Sequence, residues 1–142
     1  EKGGDIRAPI SLVSECKVRD FYGFDTSNAY LGDEDQGQMS AWFVMAALGL
    51  FQTDGGCNAE PVYELGSPLF EKIKIDLGKH FGRGKQFIIK ASNTSRENKY
   101  IQSAKLNGKK LNSFKFTAKE LLKGGTLELE MGDRPNKNWG IK

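Results

Sequence analysis

The hydrophobic pattern changes period once along the chain, close to residue 60. Upstream, apolar positions recur every three to four residues. Ile10, Val13, Cys16 and Phe21 share one face of a helix predicted to open at Ala8-Pro9 and to stop at Gly23. A second helix is predicted over 39–51, where Met39, Trp42, Phe43, Ala46, Ala47 and Leu50 keep the i, i+3, i+4, i+7 spacing. Val44, Met45, Leu48 and Phe51 fill most of its remaining circumference, so it is expected to be buried on all sides. That is hard to arrange within 142 residues, and a covering domain outside this chain is expected.

Downstream the period becomes two. Short strands are predicted over 62–65, 73–77, 86–91, 100–106, 109–111 and 126–131, with Ile73, Ile75 and Leu77 alternating with Lys74 and Asp76 as on a half-buried surface. Asn107-Gly108 marks a tight hairpin. Thr117 and Glu120 have capping-box spacing at the head of a short helix over 117–123, which Gly124-Gly125 ends. The tail over 133–142, with Pro135 and Trp139, is expected to lie across the strands as a cover. The fold class expected is α+β. Helical residues 1–51 are followed by a linker over 52–61 and an antiparallel, sandwich-like β unit over 62–142.

Between the two helices, residues 24–38 read as a polar loop pinned by Phe24, Tyr30 and Leu31. It contains three consecutive carboxylates, Asp33, Glu34 and Asp35, between Gly32 and Gly37. One reading is a helix cap: Asp35 stands three residues before Gln38, and acids near a helix start gain about 0.3–1 kcal/mol each from the macrodipole. The other is a site. A cap needs one acid, and three together repel. Two acids at spacing two can aim the same way, as a water-activating base with its helper or as calcium ligands. An EF-hand loop is excluded, because Gly37 and Val44 stand where ligands are required. Residue pattern alone leaves cap and site both open.

Composition narrows the classes. The net charge is +3, from 21 basic and 18 acidic residues interleaved along the chain, so there is no segregated basic face for nucleic acid. With 38% hydrophobic and 27% charged residues the chain is globular rather than disordered, and it is long enough to fold without cross-links. Its longest apolar run, about 13 residues, is too short for a bilayer, and no signal peptide is present. The start at Glu1 reads as a piece of a longer protein. Cys16 and Cys57 are expected to be free and buried. His80 has no nucleophile or metal partner at useful spacing and reads as a surface loop residue. Asn93-Thr94-Ser95 fits a glycosylation acceptor, but the turn reading is better. Trp42 is read as core. Trp139 is read as a staple against the sheet, with Trp139, Tyr63 and Tyr100 the stacking surfaces of an alternative, non-catalytic carbohydrate-binding module. A purely structural β module is the remaining alternative.

The stretch Gly32-Asp33-Glu34-Asp35-Gln36-Gly37-Gln38-Met39-Ser40-Ala41-Trp42 resembles the signature of glycoside hydrolase family 92, the exo-acting α-mannosidases. Ala47-Leu48-Gly49-Leu50-Phe51, Tyr63-Glu64-Leu65-Gly66-Ser67-Pro68-Leu69-Phe70, Leu106-Asn107-Gly108 and Gly124-Gly125-Thr126-Leu127 are similar to later blocks of the family, in order. The resemblance implies a calcium-dependent, inverting enzyme with an N-terminal β-sandwich and an (α/α)6 barrel, of which this chain is the C-terminal part. It implies secretion or a periplasmic location for the parent, and terminal α-linked, α-1,2 mannose of glycans as substrate. It maps the general base and its helper to Asp35 and Asp33, and a sugar-contacting or loop-supporting role to Glu34. The family's general acid and most of its calcium ligands fall upstream, outside this chain, so the isolated chain is expected to be inactive and to depend on the missing upstream part of the same protein.

Overall fold

A computed structural model describes residues 20–23, 25, 27, 29, 36–78 and 80–141 of the chain. The first predicted helix lies outside the described residues except for Asp20 and Phe21, which are helical just before the predicted stop at Gly23. Helix α1 spans Gln38–Leu48. Eight strands follow, β1 (Leu50–Phe51), β2 (Val62–Leu65), β3 (Lys72–Asp76), β4 (Gln86–Ser92), β5 (Tyr100–Leu106), β6 (Lys109–Leu111), β7 (Lys115–Thr117) and β8 (Gly125–Gly132), with the short helix α2 (Ala118–Leu122) between the last two. The class is α+β.

The strands form two sheets, one in the order β1-β2-β7 and one in the order β3-β4-β8-β5-β6. The larger sheet corrects the expectation of an all-antiparallel unit, because β4 and β8 run parallel from Phe87↔Gly125 to Ser92↔Glu130. Alternation reveals which face a strand buries but not its direction. β8 enters between β4 and β5 only after the chain has visited the smaller sheet through β7 and α2, and this excursion returns it to the end of the sheet where β4 begins.

One core serves both sheets. Phe87, Ile89 and Leu127 are fully buried, and Leu50, Leu65 and Phe116 of the smaller sheet pack into the same cluster. The Phe87 and Phe116 rings stack across the two sheets at 5.8 Å and 9°. Each such fully buried side chain contributes about 1.5–3 kcal/mol of transfer free energy. The outer face of the larger sheet is polar, with Lys90 Nζ 3.9 Å from Glu128 Oε1 on the neighbouring strand.

Local chemistry explains the turns. Asn107 and Gly108 both have positive φ, 52° and 76°, as a two-residue hairpin of the primed type requires. The capping box of α2 is present: Thr117 Oγ1 accepts from the Glu120 amide at 3.2 Å, and Glu120 Oε2 accepts from the Thr117 amide at 2.9 Å. Trp139 is a staple, its indole Nε1 donating to the Leu111 carbonyl at 2.8 Å. Asn93 occupies a turn with φ 60°, and Ser95 Oγ accepts from the Asn98 amide at 3.0 Å. His80 is exposed.

Three further expectations are corrected. The helix predicted over 39–51 ends at Leu48, because Gly49 turns left-handed at φ 71° and Leu50–Phe51 then pair with Leu65 and Glu64 as a strand. Helix α1 is not enclosed by the described residues. Ala46 and Ala47 are buried, whereas Val44 is 53% exposed. Cys57 is exposed rather than buried, since it sits in the Gly-rich turn after Asp54, whose carboxylate accepts from the Gly56 amide at 2.8 Å. Cys16 lies outside the described residues.

Candidate active site

The acidic loop reaches helix α1 through two consecutive left-handed residues, Gln36 at φ 57° and Gly37 at φ 80°. A side chain with a Cβ enters that region at a cost, so Gln36 marks a turn that the surroundings impose. Gly37 is the residue that caps α1. Among the described residues no side chain caps this helix end, and its first turn, Gln38 to Ser40, contains no acid. Asp33, Glu34 and Asp35 themselves lie outside the described residues, as do most of the residues on the predicted loop. The described residues therefore define the mount of the loop.

The mount is built from both halves of the chain. At mid-helix, Trp42 and Phe43 pack on Tyr22, with ring centroids 5.7 and 5.3 Å apart. Trp42 is thus half-buried rather than core. At the C-terminal end of α1 the chain approaches the segment after β2 very closely. The Gly66 amide donates to the Gly49 carbonyl at 2.8 Å, and the Leu69 amide donates to the Ala47 carbonyl at 3.1 Å. These bonds satisfy carbonyls that a helix end otherwise leaves open. Pro68 is fully buried in this contact.

Beside it lies a buried carboxylate that pattern reading passed over. Glu64, 8% exposed on β2, accepts a hydrogen bond from Thr53 Oγ1 and pairs with Lys115 Nζ of β7 at 3.0 Å. The group ties the segment after β1 to the two longer strands of the smaller sheet. Its sequence signal was an acid inside the apolar run Val62-Tyr63-Glu64-Leu65, at a position where alternation alone gives no reason for burial.

The stacking surfaces of a binding module fare differently. Tyr63 packs on Phe116 with ring centroids 5.9 Å apart and planes tilted by 35°, and the Trp139 indole is committed to Leu111. An open hollow of about 270 Å³ on the outer sheet face is lined by Lys90, Ser92, Ser103, Lys105, Glu128, Leu129 and Glu130. It has no aromatic ring on which a sugar could stack, and its charges alternate in sign as on an ordinary solvated face. No group of three or more His, Cys, Asp or Glu side chains among the described residues could hold a metal ion. No helix among them is long and apolar enough to cross a membrane.

Comparison with known proteins places this arrangement among enzymes that cleave glycosidic bonds. The sequence profile of the glycosyl hydrolase family 92 catalytic domain matches residues 13–133. The family GH92 inverting mannosidase BT2199 from Bacteroides thetaiotaomicron is 34% identical and superposes with a TM-score of 0.78 over 93% of this chain, and 17% of its own chain is covered. The family GH92 α-mannosidase BT3965 of the same organism, solved with mannoimidazole, is 29% identical with a TM-score of 0.83 over 96% of this chain and 17% of its own. A protein of Arthroderma benhamiae described as an uncharacterized secreted glycosidase is 36% identical over 118 residues, 82% of this chain and 14% of that protein. The chain belongs to glycosyl hydrolase family 92. It spans about one sixth of the length of the solved relatives it matches.

Proposed function

We propose that the chain is the C-terminal part of an inverting exo-α-mannosidase that removes terminal α-linked, α-1,2 mannose from glycans, secreted or periplasmic in its full form. In this reading residues 1–51 end an (α/α)6 barrel, 52–61 link, and 62–142 form the β unit behind it. Asp35 is the general base that draws a proton from the attacking water, Asp33 is its helper, and Glu34 contacts the sugar or supports the loop. Inversion needs a carboxylic acid on the opposite side of the ring, roughly 6.5–9.5 Å from the base, to protonate the leaving oxygen. That acid belongs to the missing upstream part. The observation that supports the reading is the family match over residues 13–133, together with a 34% identical inverting mannosidase that superposes over 93% of this chain.

The family resemblance also implies calcium. The described residues offer no donor set for it, so its ligands are assigned to residues outside them and no step is derived through the ion.

In the full-length protein, Asp35→Asn is expected to reduce kcat/KM for an α-mannoside by about 10²–10⁴-fold, the usual contribution of a positioned base, without lowering the melting temperature. Retained turnover would refute the assignment. The purified 142-residue chain is expected to release no mannose, and measurable release would show that the acid is not upstream.

A further inference from the structure

We propose that the turn Ser67-Pro68 is a positioning element for catalysis: it is gripped by the larger sheet on one side, and on the other it clamps the C-terminal end of helix α1, whose opposite end carries the acidic loop. The proposal rests on the assignment of Asp35 as base.

Two side-chain hydrogen bonds among the described residues contribute to the grip. Thr94 Oγ1 donates to the Pro68 carbonyl at 3.1 Å, and Ser67 Oγ donates to the Lys99 carbonyl. Thr94 and Lys99 bound the segment between β4 and β5, the strands on either side of β8 at the centre of the larger sheet. The clamp consists of the Gly66–Gly49 and Leu69–Ala47 backbone bonds together with the close seat of Pro68 on Gly49. A Cβ on Gly49 would lie 2.8 Å from the Pro68 nitrogen and 2.9 Å from its Cγ, so the two segments touch without slack.

Burial along α1 is concentrated at this end, at Ala46 and Ala47, while Val44 is exposed. With Trp42 and Phe43 resting on Tyr22 at mid-helix, this end is where the β unit fixes the direction of α1. Its eleven residues extend about 16 Å from the clamp to the start of the acidic loop. A tilt of about 4° at the clamp moves the loop end by about 1 Å, a displacement that can cost on the order of 100-fold in rate when reacting groups must be aligned. Ser67, Pro68, Thr94 and Gly49 touch no reacting atom in this scheme. They act through Asp35.

The test is made in the full-length protein with the double variant Ser67→Ala/Thr94→Val, and with Thr94→Val alone, which keeps the shape of the side chain, should the double variant fail to fold. Thr94→Ser retains the donor and serves as the conservative control. At a temperature where all variants are folded by circular dichroism, kcat is expected to fall about tenfold or more in the double variant and measurably in Thr94→Val. KM should stay within about twofold, and Thr94→Ser should keep the parental kcat. A turn that only stabilises the fold would lower the melting temperature and leave kcat per folded molecule unchanged. That outcome, with Asp35→Asn inactive, overturns the clamp and leaves the base assignment standing. Turnover in Asp35→Asn overturns the base assignment and this proposal with it.

Discussion

Gly49 is where the helix and the β unit meet most tightly, and Gly49→Ala measures that contact. Two costs add. Alanine at φ 71° pays the left-handed penalty of about 1–2 kcal/mol. Its Cβ would also stand 2.8, 2.9 and 3.0 Å from Pro68 N, Pro68 Cγ and Gly66 O, two of which are main-chain atoms of a segment whose Gly66 and Leu69 amides are hydrogen-bonded to the helix end. Overpacking of this kind costs about 1–3 kcal/mol. The sum is a loss of about 2–5 kcal/mol. Gly37 supplies the control, because its φ is 80° and an added Cβ would meet nothing within 4 Å among the described residues. Gly37→Ala should therefore lose only the left-handed penalty, about 1–2 kcal/mol. Any gain from a stiffer unfolded chain is common to both and cancels. Urea unfolding of the 142-residue chain, followed by the fluorescence of Trp42 and Trp139, gives the two differences. With a slope of about 1–3 kcal/mol per molar urea, the Gly49→Ala midpoint should lie about 1 M below that of Gly37→Ala. Equal losses at the two glycines would refute the claim that the turn after β2 is seated on the helix end.

Thr117→Ala removes the hydroxyl that accepts from the Glu120 amide, leaves the Thr117 amide free to donate to the Glu120 carboxylate, and should cost about 1 kcal/mol in the same unfolding assay; no loss would mean the hydroxyl cap is not formed in solution. Lys115→Met strips the cation from the buried Glu64 and should cost about 1–3 kcal/mol, part of which Lys115→Met/Glu64→Gln recovers; a neutral single variant would show that Thr53 alone supports the carboxylate. Cys57, exposed and free, should react with a thiol reagent in the native protein, and Cys57→Ser should remove one equivalent of that native-state reaction; protection of Cys57 until denaturant is added would contradict the exposed turn.

Much of the fold was legible because its signals are local. The strand cores, the Asn107-Gly108 hairpin and the Thr117–Glu120 box each depend on residues a few positions apart, so period and turn chemistry suffice to place them. The end of α1 was misplaced for the complementary reason. Leu48, Leu50 and Phe51 continue an apolar run, and only the distant strand β2, pairing with Leu50–Phe51, makes Gly49 a stop. β7 was passed over because its three residues are strand only through their pairing with β2.

The candidate site divides along the same line. Its carboxylates stand out in sequence because three adjacent acids beside an apolar helix are a contiguous pattern, and a long contiguous motif also carries a family resemblance. The residues that mount them do not. Thr53, Glu64 and Lys115, or Ser67, Thr94 and Lys99, are ordinary residues in the chain and become groups only through strand pairing and loop packing. The sequence by itself determined the family to which the chain belongs and singled out the candidate carboxylates, because both are written in neighbouring residues. Only the tertiary structure decided that β8 runs parallel to β4, that α1 stops at Leu48, and that a sheet far along the chain grips the helix from its C-terminal end. Those outcomes depend on contacts between segments whose separation in sequence leaves no periodic trace.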